Sequence, residues 1–187
     1  MRRVAVALVH YPVIDRDRRT VTTAITNLDL HDIARSAHTY DLEAFYVVHP
    51  VAAQRELALK VREHWTSGSG ARRIPDRTPA LSLLRIVPTL DDAVTEWGGT
   101  EPVELWTTSA SAQDDAESYA AARARLREPG SPVLLLFGTG WGLADELYRR
   151  AARRLEPIRS RRQDGYNHLS VRAAAAISFD RLFAESG

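Results

Sequence analysis

The chain has 187 residues, of which 44% are hydrophobic and 26% charged, and this composition predicts one compact domain spanning 1–187. Its 25 basic and 24 acidic residues nearly cancel, which excludes a uniformly polycationic coat for nucleic acids and leaves only local anion sites. The absence of cysteine excludes disulfides, thiolate metal sites and a cysteine nucleophile.

The first apolar run is typical of a buried strand. It covers 4–9 and stops at His10, so it is too short for a membrane span, and no convincing signal-peptide cleavage site follows it. We therefore expect a cytoplasmic protein that does not associate with a membrane.

Short apolar runs rich in β-branched residues recur along the chain and predict strands. They span 4–9, 44–48, 84–87, 103–108 and 133–137. The last run is apolar throughout, as expected where helices cover both faces of a parallel sheet. The sequence therefore predicts an α/β fold, a layered sheet with helices on both faces.

Helical patterns fill the intervals between these runs. They predict helices over 53–65, 114–127, 142–155 and 169–183, and a further helix that begins at about Asn27. The segment 66–73, rich in glycine, serine and arginine, is expected to be a mobile loop. Since the terminal helix is apolar around most of its girth, we expect a homodimer partner to cover part of it.

Three alternate glycines follow the strand 133–137. Gly138, Gly140 and Gly142 allow a sharp turn and a close approach of the backbone to a ligand, at the strand end where α/β folds bind ligands. The stretch is neither a dinucleotide fingerprint nor a P-loop, because Leu143 replaces the third glycine and no Gly-Lys-Ser/Thr follows. A purely structural tight turn explains it equally well.

Two further stretches combine polar residues with a helix start. In the first, Asn27, His31 and Arg35 lie four residues apart and form a polar stripe suited to phosphate or a polar base. A solvated helix face explains the same stripe. The second stretch, 166–177, has polar residues ahead of four alanines, and Asn167 can be explained simply as a helix N-cap.

Taken together, the three stretches resemble the SPOUT superfamily of S-adenosylmethionine (SAM)-dependent RNA methyltransferases, and most closely its small bacterial members without accessory domains. Asn27 and Arg35 match the first motif, 134–143 the second and 167–177 the third, with 156–158 in the place of a short preceding strand. The resemblance covers nearly the whole chain. It implies a C-terminal trefoil knot, SAM as cofactor and RNA, either tRNA or rRNA, as substrate.

The resemblance also implies a cofactor site built by three loops. Backbone groups of the glycine loop are expected to hold polar edges of the cofactor, while apolar side chains enclose its adenine. Many relatives have asparagine where this chain has Leu169, and Asn167 takes that role after a small shift. The expected cofactor residues are Thr108, Leu136, Gly138, Thr139, Gly140, Trp141, Gly142, Leu143, Ile158, Leu169, Ser170, Val171 and Ala174.

Methyl transfer from a sulfonium requires alignment of the acceptor, the methyl carbon and the sulfur, and removal of the acceptor's proton. We expect Arg35 to orient the acceptor or a phosphate, with Asn27 as its helper. Asp29 or Asp164 is the expected proton acceptor if a base nitrogen is methylated. For a ribose hydroxyl, the resemblance to the wider superfamily implies an arginine-assisted route. His31 is more simply explained as structural.

Positive charge concentrates in the segment 149–162, where seven arginines accompany one acidic residue. Clustered arginines bind phosphates in a salt-dependent way. We expect Arg159, Arg161 and Arg162 to bind RNA together with Arg35, because they lie between two of the cofactor motifs.

Two other functions fit the sequence less well. One is a doubly wound protein that recognises an adenine nucleotide without catalysis, and the other is a relative of the methyltransferases that binds RNA without modifying it. No metal is expected, because the six histidines show no familiar ligand spacing.

Overall fold

The computed structural model describes residues 1–111 and 115–184. A six-stranded sheet, a two-stranded hairpin and eight helices make up this part of the chain. In chain order the elements are β1 Val4–Val9, β2 Val13–Ile14, β3 Thr20–Val21, α1 Asn27–Thr39, β4 Ala44–Val48, α2 Ala52–Thr66, α3 Ser69–Arg73, a 3-10 turn Pro75–Arg77, α4 Thr78–Ser82, β5 Leu84–Val87, α5 Leu90–Gly98, β6 Glu104–Thr107, α6 Tyr119–Arg127, β7 Val133–Gly138, α7 Asp145–Arg150, β8 Arg153–Arg154 and α8 Val171–Phe183.

The central sheet is parallel and has the strand order β5-β4-β1-β7-β6-β8. In its middle, Ala5 of β1 pairs with Ala44 on one side and with Leu134 on the other. From β1 the chain adds β4 and then β5 on one side. It then crosses to the other side of β1, where it forms β6 and afterwards β7, which lies directly beside β1. The order of strands therefore reverses between β1 and β7, which is where open α/β sheets bind ligands.

Helices cover both faces of the sheet. One core layer joins alternate residues of the strands to α1, α2, α4, α6 and α8, and the other joins the remaining strand residues to α5 and α7. This arrangement explains why β1 and β7 are apolar at nearly every position: both faces of these strands are buried. The predicted α/β layered fold and all five predicted strands are confirmed.

The prediction of one helix over 142–155 was wrong. The helix α7 is only six residues long, and the chain then becomes β8 at the sheet edge. There the amide of Ala152 donates to the carbonyl of Leu105, and the amide of Leu155 donates to that of Thr107, with N–O distances of 2.8 Å each. Pairing with a neighbouring strand has overridden a local helical pattern, which no short-range periodicity can reveal.

Two other boundaries differ from the prediction. The segment 66–73 is not a loop throughout, because it ends in α3, whose Gly70 packs against the rings of His64 and Trp65. The predicted helix 114–127 begins only at Tyr119, after an N-cap at Ser118. Position 114 itself lies outside the described residues.

The terminal helix begins two residues later than predicted. Its N-cap is Ser170, whose hydroxyl oxygen accepts the amide of Ala173, so the interpretation of Asn167 as the cap was wrong. The short strand expected at 156–158 is also absent, and the pairing segment is β8, three residues earlier.

The helix α8 packs between α1 and α6 and against β7. Its Ala175, Phe179 and Leu182 are buried in these contacts within one chain. The apolar girth of the helix therefore needs no second subunit, and both the homodimer and the trefoil knot stay predictions.

The sequence patterns did not predict helix α5 or the β2–β3 hairpin. The helix α5 begins with a capping box in which the hydroxyl of Thr89 accepts the amide of Asp92 and the carboxylate of Asp92 accepts the amide of Thr89. The β2–β3 hairpin, paired at Val13 with Val21, lies against the glycine loop after β7.

Within 1–111 and 115–184, no helix is both long and apolar enough to cross a membrane.

Candidate cofactor cleft

A cleft of about 680 Å³ opens at the carboxyl ends of β6 and β7, beside the N-terminus of α8. Four stretches of chain supply most of its lining: 23–29 before and within α1, 108–111 after β6, 137–142 at the end of β7, and 167–174 at the start of α8. Tyr119, Ile158 and Ser178 complete it. The glycine and small-residue stretches singled out in the sequence thus meet in one site, whereas the start of α1 contributes Asp29 but not the polar stripe of Asn27, His31 and Arg35.

The glycine loop is a tight turn fixed by the β2–β3 hairpin. The amide of Gly142 donates to the carbonyl of Thr139 at 3.1 Å, and the amide of Trp141 donates to that of Ile14 at 3.0 Å. Gly140 has a φ of +61°, which an L side chain adopts only at a cost. The turn therefore presents Trp141 at its tip in a fixed backbone conformation.

Gly138 is needed for a different reason. A Cβ atom there would lie 2.6 Å from the amide nitrogen of Leu143, because the loop folds back over the strand end. At Gly140, a Cβ atom would lie 3.1 Å from the carbonyl oxygen of Ile14, so it would press on the hairpin.

Most of the expected cofactor residues meet in the cleft. The lining combines apolar side chains with hydroxyl groups and the glycine turn, an environment suited to a ligand with an adenine and polar ends. The expected residues that line it are Thr108, Gly138, Thr139, Gly140, Trp141, Gly142, Ile158, Leu169, Ser170, Val171 and Ala174.

Two expected cofactor residues lie elsewhere. Leu136 and Leu143 are buried in the core layer on the α5 and α7 side of the sheet and do not line the cleft. The side chain of Phe137 takes the position expected for Leu136, because successive strand residues point to opposite faces. A shift of one residue along β7 thus changes which side chain meets the ligand.

Of the three expected catalytic residues, only Asp29 lines the cleft. Asn27 is exposed at the start of α1 and does not line it. Arg35 is exposed two turns along α1, in a separate groove of about 470 Å³ between α1 and α8. The two spaces share Ser170 and Arg172. Asn27 and Arg35 therefore lie beside the cofactor cleft rather than in its lining, and their expected roles toward the acceptor stay predictions.

Asp29 is nearly buried, and both its carboxylate oxygens have partners. The Thr26 hydroxyl donates to Oδ2 at 2.7 Å, and the guanidinium Nη1 of Arg172 donates to Oδ1 at 3.2 Å. Thr26 also caps α1 by accepting the amide of Asp29. The carboxylate thus joins the starts of α1 and α8 at the wall of the cleft.

Two other candidates for proton transfer lie outside the cleft lining. His31 packs edge-on against Trp65, and burial followed by the charge of Arg77 lowers its pKa. Asp164 is exposed, where the guanidinium of Arg162 holds its pKa below the ordinary value. These surroundings make His31 a packing residue and Asp164 a weak proton acceptor.

A buried histidine lies behind the cleft wall. The ring nitrogen Nδ1 of His10 is 3.1 Å from the hydroxyl of Thr23, which in turn bonds the hydroxyl of Thr139. Burial, and then the neighbouring His49, lower the pKa of His10 to about 4. The neutral imidazole therefore fixes two hydroxyls that line the cleft.

Hydrogen bonds tie the loops of the cleft to one another. The side-chain amide of Asn167 donates to the carbonyl of Ala110 at 3.0 Å, and the Tyr148 hydroxyl donates to that of Thr108 at 3.3 Å. At the cleft floor the hydroxyls of Tyr119 and Ser178 are 2.8 Å apart. The site is therefore held together by elements far apart in sequence.

Several lining residues were not singled out as cofactor ligands in the sequence. Only the tertiary fold brings the segment 23–26 and α6 to this place, so their residues carried no usable signal. Arg172 lies inside the third motif, directly after the expected ligand Val171, and could have been found there as a charged residue at a helix start. The additional lining residues are Thr23, Ala24, Thr26, Ser109, Ala110, Ser111, Tyr119, Phe137, Asn167, His168, Arg172 and Ser178.

The arginines expected to bind RNA are all exposed. Arg159 and Arg161 lie in the chain that leads from the sheet edge to α8, and Arg162 is clamped by Asp164. Their role stays a prediction. Within the described part of the chain, no three histidine, aspartate or glutamate side chains are grouped closely enough to hold a metal ion.

Comparison with known proteins identifies the family to which this fold and cleft belong. A family described as SAM-dependent RNA methyltransferase matches residues 3–184. The chain belongs to this family.

Two relatives show how the matched region occurs in other proteins. It is 43% identical over 188 residues to a protein of Oleidesulfovibrio alaskensis named tRNA (guanine-N(1)-)-methyltransferase, with 99% of this chain and 43% of that protein covered. It is 36% identical to an uncharacterized protein of Aquifex aeolicus, with 98% of this chain and 89% of that protein covered. The chain thus spans less than half of the first relative.

Solved structures share the fold at low sequence identity. A probable methyltransferase from Bordetella pertussis has a TM-score of 0.62 at 16% identity, with 97% of this chain and 94% of that one covered. The SpoU methyltransferase AviRb from Streptomyces viridochromogenes, solved in complex with AdoMet, has a TM-score of 0.56 at 15% identity, with 96% and 56% covered. These matches support the SPOUT-like fold.

Proposed function

We propose that this chain is a SAM-dependent methyltransferase that acts on RNA. The observation that carries the proposal is the cleft at the strand-order reversal, in which the glycine turn, the loop after β6 and the start of α8 meet. An adenine nucleotide that bound through its phosphates would need a cradle of the P-loop kind, which the glycine turn does not provide.

The cleft fits SAM in size and in chemistry. The small side chain of Ala174 and the backbone of Gly138 leave room, while Phe137, Ile158 and Leu169 supply apolar walls for a flat ring. We propose that backbone groups of the glycine turn and of 108–111 hold the polar ends of the cofactor. SAM supplies an activated methyl group, so the chain itself needs to align the acceptor and to manage one proton.

Asp29 is the proposed organiser of the acceptor side. Its carboxylate lies at the cleft wall, and Arg172, its partner, also reaches the groove that holds Arg35. We propose that Arg35 orients the substrate through a phosphate in this groove and that Asn27 helps at the exposed start of α1. In this arrangement the substrate lies across the start of α8, with one part in the groove and the acceptor at the cleft.

We propose RNA, and tRNA in particular, as the substrate. The relative named as a tRNA methyltransferase supports this proposal, although it is more than twice as long as the region matched here. Exposed Arg159, Arg161 and Arg162 supply positive charge on the chain that enters α8. We further propose a homodimer, supported by exposed Leu28 and Leu169 near the cleft, which a second copy would cover.

Calorimetry and methyl incorporation test these proposals separately. The chain should bind SAM or S-adenosylhomocysteine more tightly than ATP, and it should transfer labelled methyl groups to tRNA from cells that lack it. Preference for ATP would overturn the enzyme assignment, whereas SAM binding without incorporation into any cellular RNA would indicate a non-catalytic relative. Light scattering of the full chain measures its oligomeric state.

A further inference from the structure

Three ring-bearing side chains form an exposed row at the mouth of the cleft. The ring centroids of Trp141 and His168 are 5.7 Å apart, and those of His168 and Tyr166 are 5.4 Å apart. Both contacts are edge-to-face, and Trp141 and His168 line the cleft. We call Trp141, His168 and Tyr166 the aromatic row.

The exposure of this row is unusual for the chain. Of its four tryptophans, Trp97 and Trp106 are buried and Trp65 is half-buried beneath the guanidinium of Arg77. Trp141, by contrast, is 57% exposed and Tyr166 is 58% exposed. Large apolar groups left in water beside a cleft indicate that something covers them when the protein works.

The row is held in place by the backbone beneath it. Trp141 lies at the tip of the turn closed by Gly142, and its own amide is bonded to Ile14. On the other side, Asn167 stands between the two remaining rings and bonds Ala110. Since the fold has already fixed these positions, a flat partner would lose little binding free energy to ordering them.

We infer that the aromatic row receives the target nucleobase, unpaired and turned out of its helix, by stacking; this inference rests on the proposed RNA methyltransferase function. Proteins that recognise single-stranded or looped RNA stack splayed bases on aromatic and histidine rings. An enzyme that modifies a base must take it out of the stack to reach it. The row lies where such a base would meet the cofactor cleft.

The inference names a substrate class, an unpaired nucleotide in a loop or a bulge. A base held in a duplex presents only its edges in the grooves and cannot cover the face of an indole. Substrates in which the target nucleotide is unpaired should therefore be methylated, and the same sequence annealed to its complement should not.

The variants Trp141→Ala and Trp141→Phe test the inference, with Tyr11→Ala as control. Tyr11 is a 45% exposed aromatic residue that does not line the cleft. The alanine variant should lower kcat/KM for methylation of tRNA by about 5- to 150-fold, the range observed when a stacking side chain is removed. Trp141→Phe should restore most of the loss, and Tyr11→Ala should be unaffected. S-adenosylhomocysteine affinity should change much less than kcat/KM in Trp141→Ala, because the glycine turn is proposed to hold the cofactor through its backbone.

Tryptophan fluorescence gives an independent readout. Adding a short single-stranded oligoribonucleotide should quench the emission of the natural chain and of Tyr11→Ala, and the quenching should be lost in Trp141→Phe. Equal kcat/KM in Trp141→Ala and the natural chain would overturn the inference. So would a loss of cofactor affinity that accounts for the whole effect, because the indole would then cover the cofactor. If the natural chain binds no SAM, the proposed function itself fails.

Discussion

The guanidinium of Arg172 is shared by two carboxylates of α1, since its Nη1 lies 3.2 Å from Asp29 Oδ1 and its Nε lies 3.4 Å from Asp32 Oδ2. This contact joins the second residue of α8 to the start of α1, between the cofactor cleft and the neighbouring groove. The two carboxylates differ in exposure, because the Asp29 side chain is 10% exposed and that of Asp32 is 46% exposed.

We predict that the two aspartates contribute unequally to stability. Asp29→Ala should lower the free energy of unfolding by about 2 kcal/mol, because it breaks a largely buried charged hydrogen bond and a bond from Thr26. The matched variant Asp32→Ala should lose less than about 1 kcal/mol, as exposed ion pairs do. Urea unfolding measures both losses. Equal losses would contradict the idea that the more buried of the two contacts to Arg172 contributes more to stability.

The buried imidazole of His10 predicts a pH dependence of stability. Its pKa is about 4 in the folded chain against 6.5 for the free side chain, so the unfolded chain takes up the proton first as the pH falls. Stability should decrease between about pH 6.5 and pH 4, by about 3 kcal/mol from this group, and should not change further through it below pH 4.

Two asparagine variants isolate this contribution. His10→Asn keeps a hydrogen-bonding amide near the Nδ1 position for Thr23 but removes the titration, so its stability should fall less steeply over the same range. His38→Asn, which removes an exposed imidazole at the end of α1, is the control and should keep the natural slope. A parallel decline in His10→Asn and the natural chain would show that His10 is not the group responsible.

Glycine-to-alanine substitutions should differ in their stability cost according to what the added Cβ atom contacts. Gly138→Ala should be the most destabilising, because the new Cβ would lie 2.6 Å from a backbone nitrogen. Gly140→Ala should cost about 1–2 kcal/mol through its positive φ and its contact with Ile14. Gly165→Ala, which has a positive φ but open space around it, should cost less than Gly140→Ala. Denaturant midpoints give the order, and a harmless Gly138→Ala would refute the packing seen at the strand end.

Two substitutions on helix α8 test whether the cofactor occupies the cleft. Ala174 lines the cleft and Ala176 lines the groove beside Arg35. Ala174→Leu should weaken S-adenosylhomocysteine binding by about tenfold or more, because overpacking a fitted site costs 1–3 kcal/mol. Ala176→Leu introduces the same group two residues along the helix and should bind as the natural chain does. Calorimetry that found the two variants equal would place the cofactor elsewhere.

The arginines near α8 should control the salt dependence of RNA binding. Removing Arg159 and Arg161 together should reduce the slope of log affinity against log salt by about 1.5, as expected for two lost phosphate contacts. The control pair Arg127→Ala and Arg149→Ala removes two exposed charges from α6 and α7. Titration of tRNA at several salt concentrations measures both slopes. An unchanged slope in the first pair would remove these arginines from the RNA surface.

Local sequence determined much of this protein. The continuous apolar runs at β1 and β7 identified strands buried on both faces, and the glycines after β7 marked the ligand end of the sheet, because these signals depend on neighbours in sequence. The order of the three motifs also indicated the SPOUT family before any contact between them was known.

Tertiary structure decided what local patterns could not. Residues 153–154 form a strand because β6 provides hydrogen-bond partners. Phe137 rather than Leu136 lines the cleft because the pairing of β7 in the sheet determines to which face each side chain points. Arg35 lies in a neighbouring groove, and the segment between the hairpin and α1 supplies Thr23 to the cleft wall, because packing between distant segments sets both positions. Periodicity reports the environment of one element, whereas a site is made by side chains whose separation only the folded chain determines.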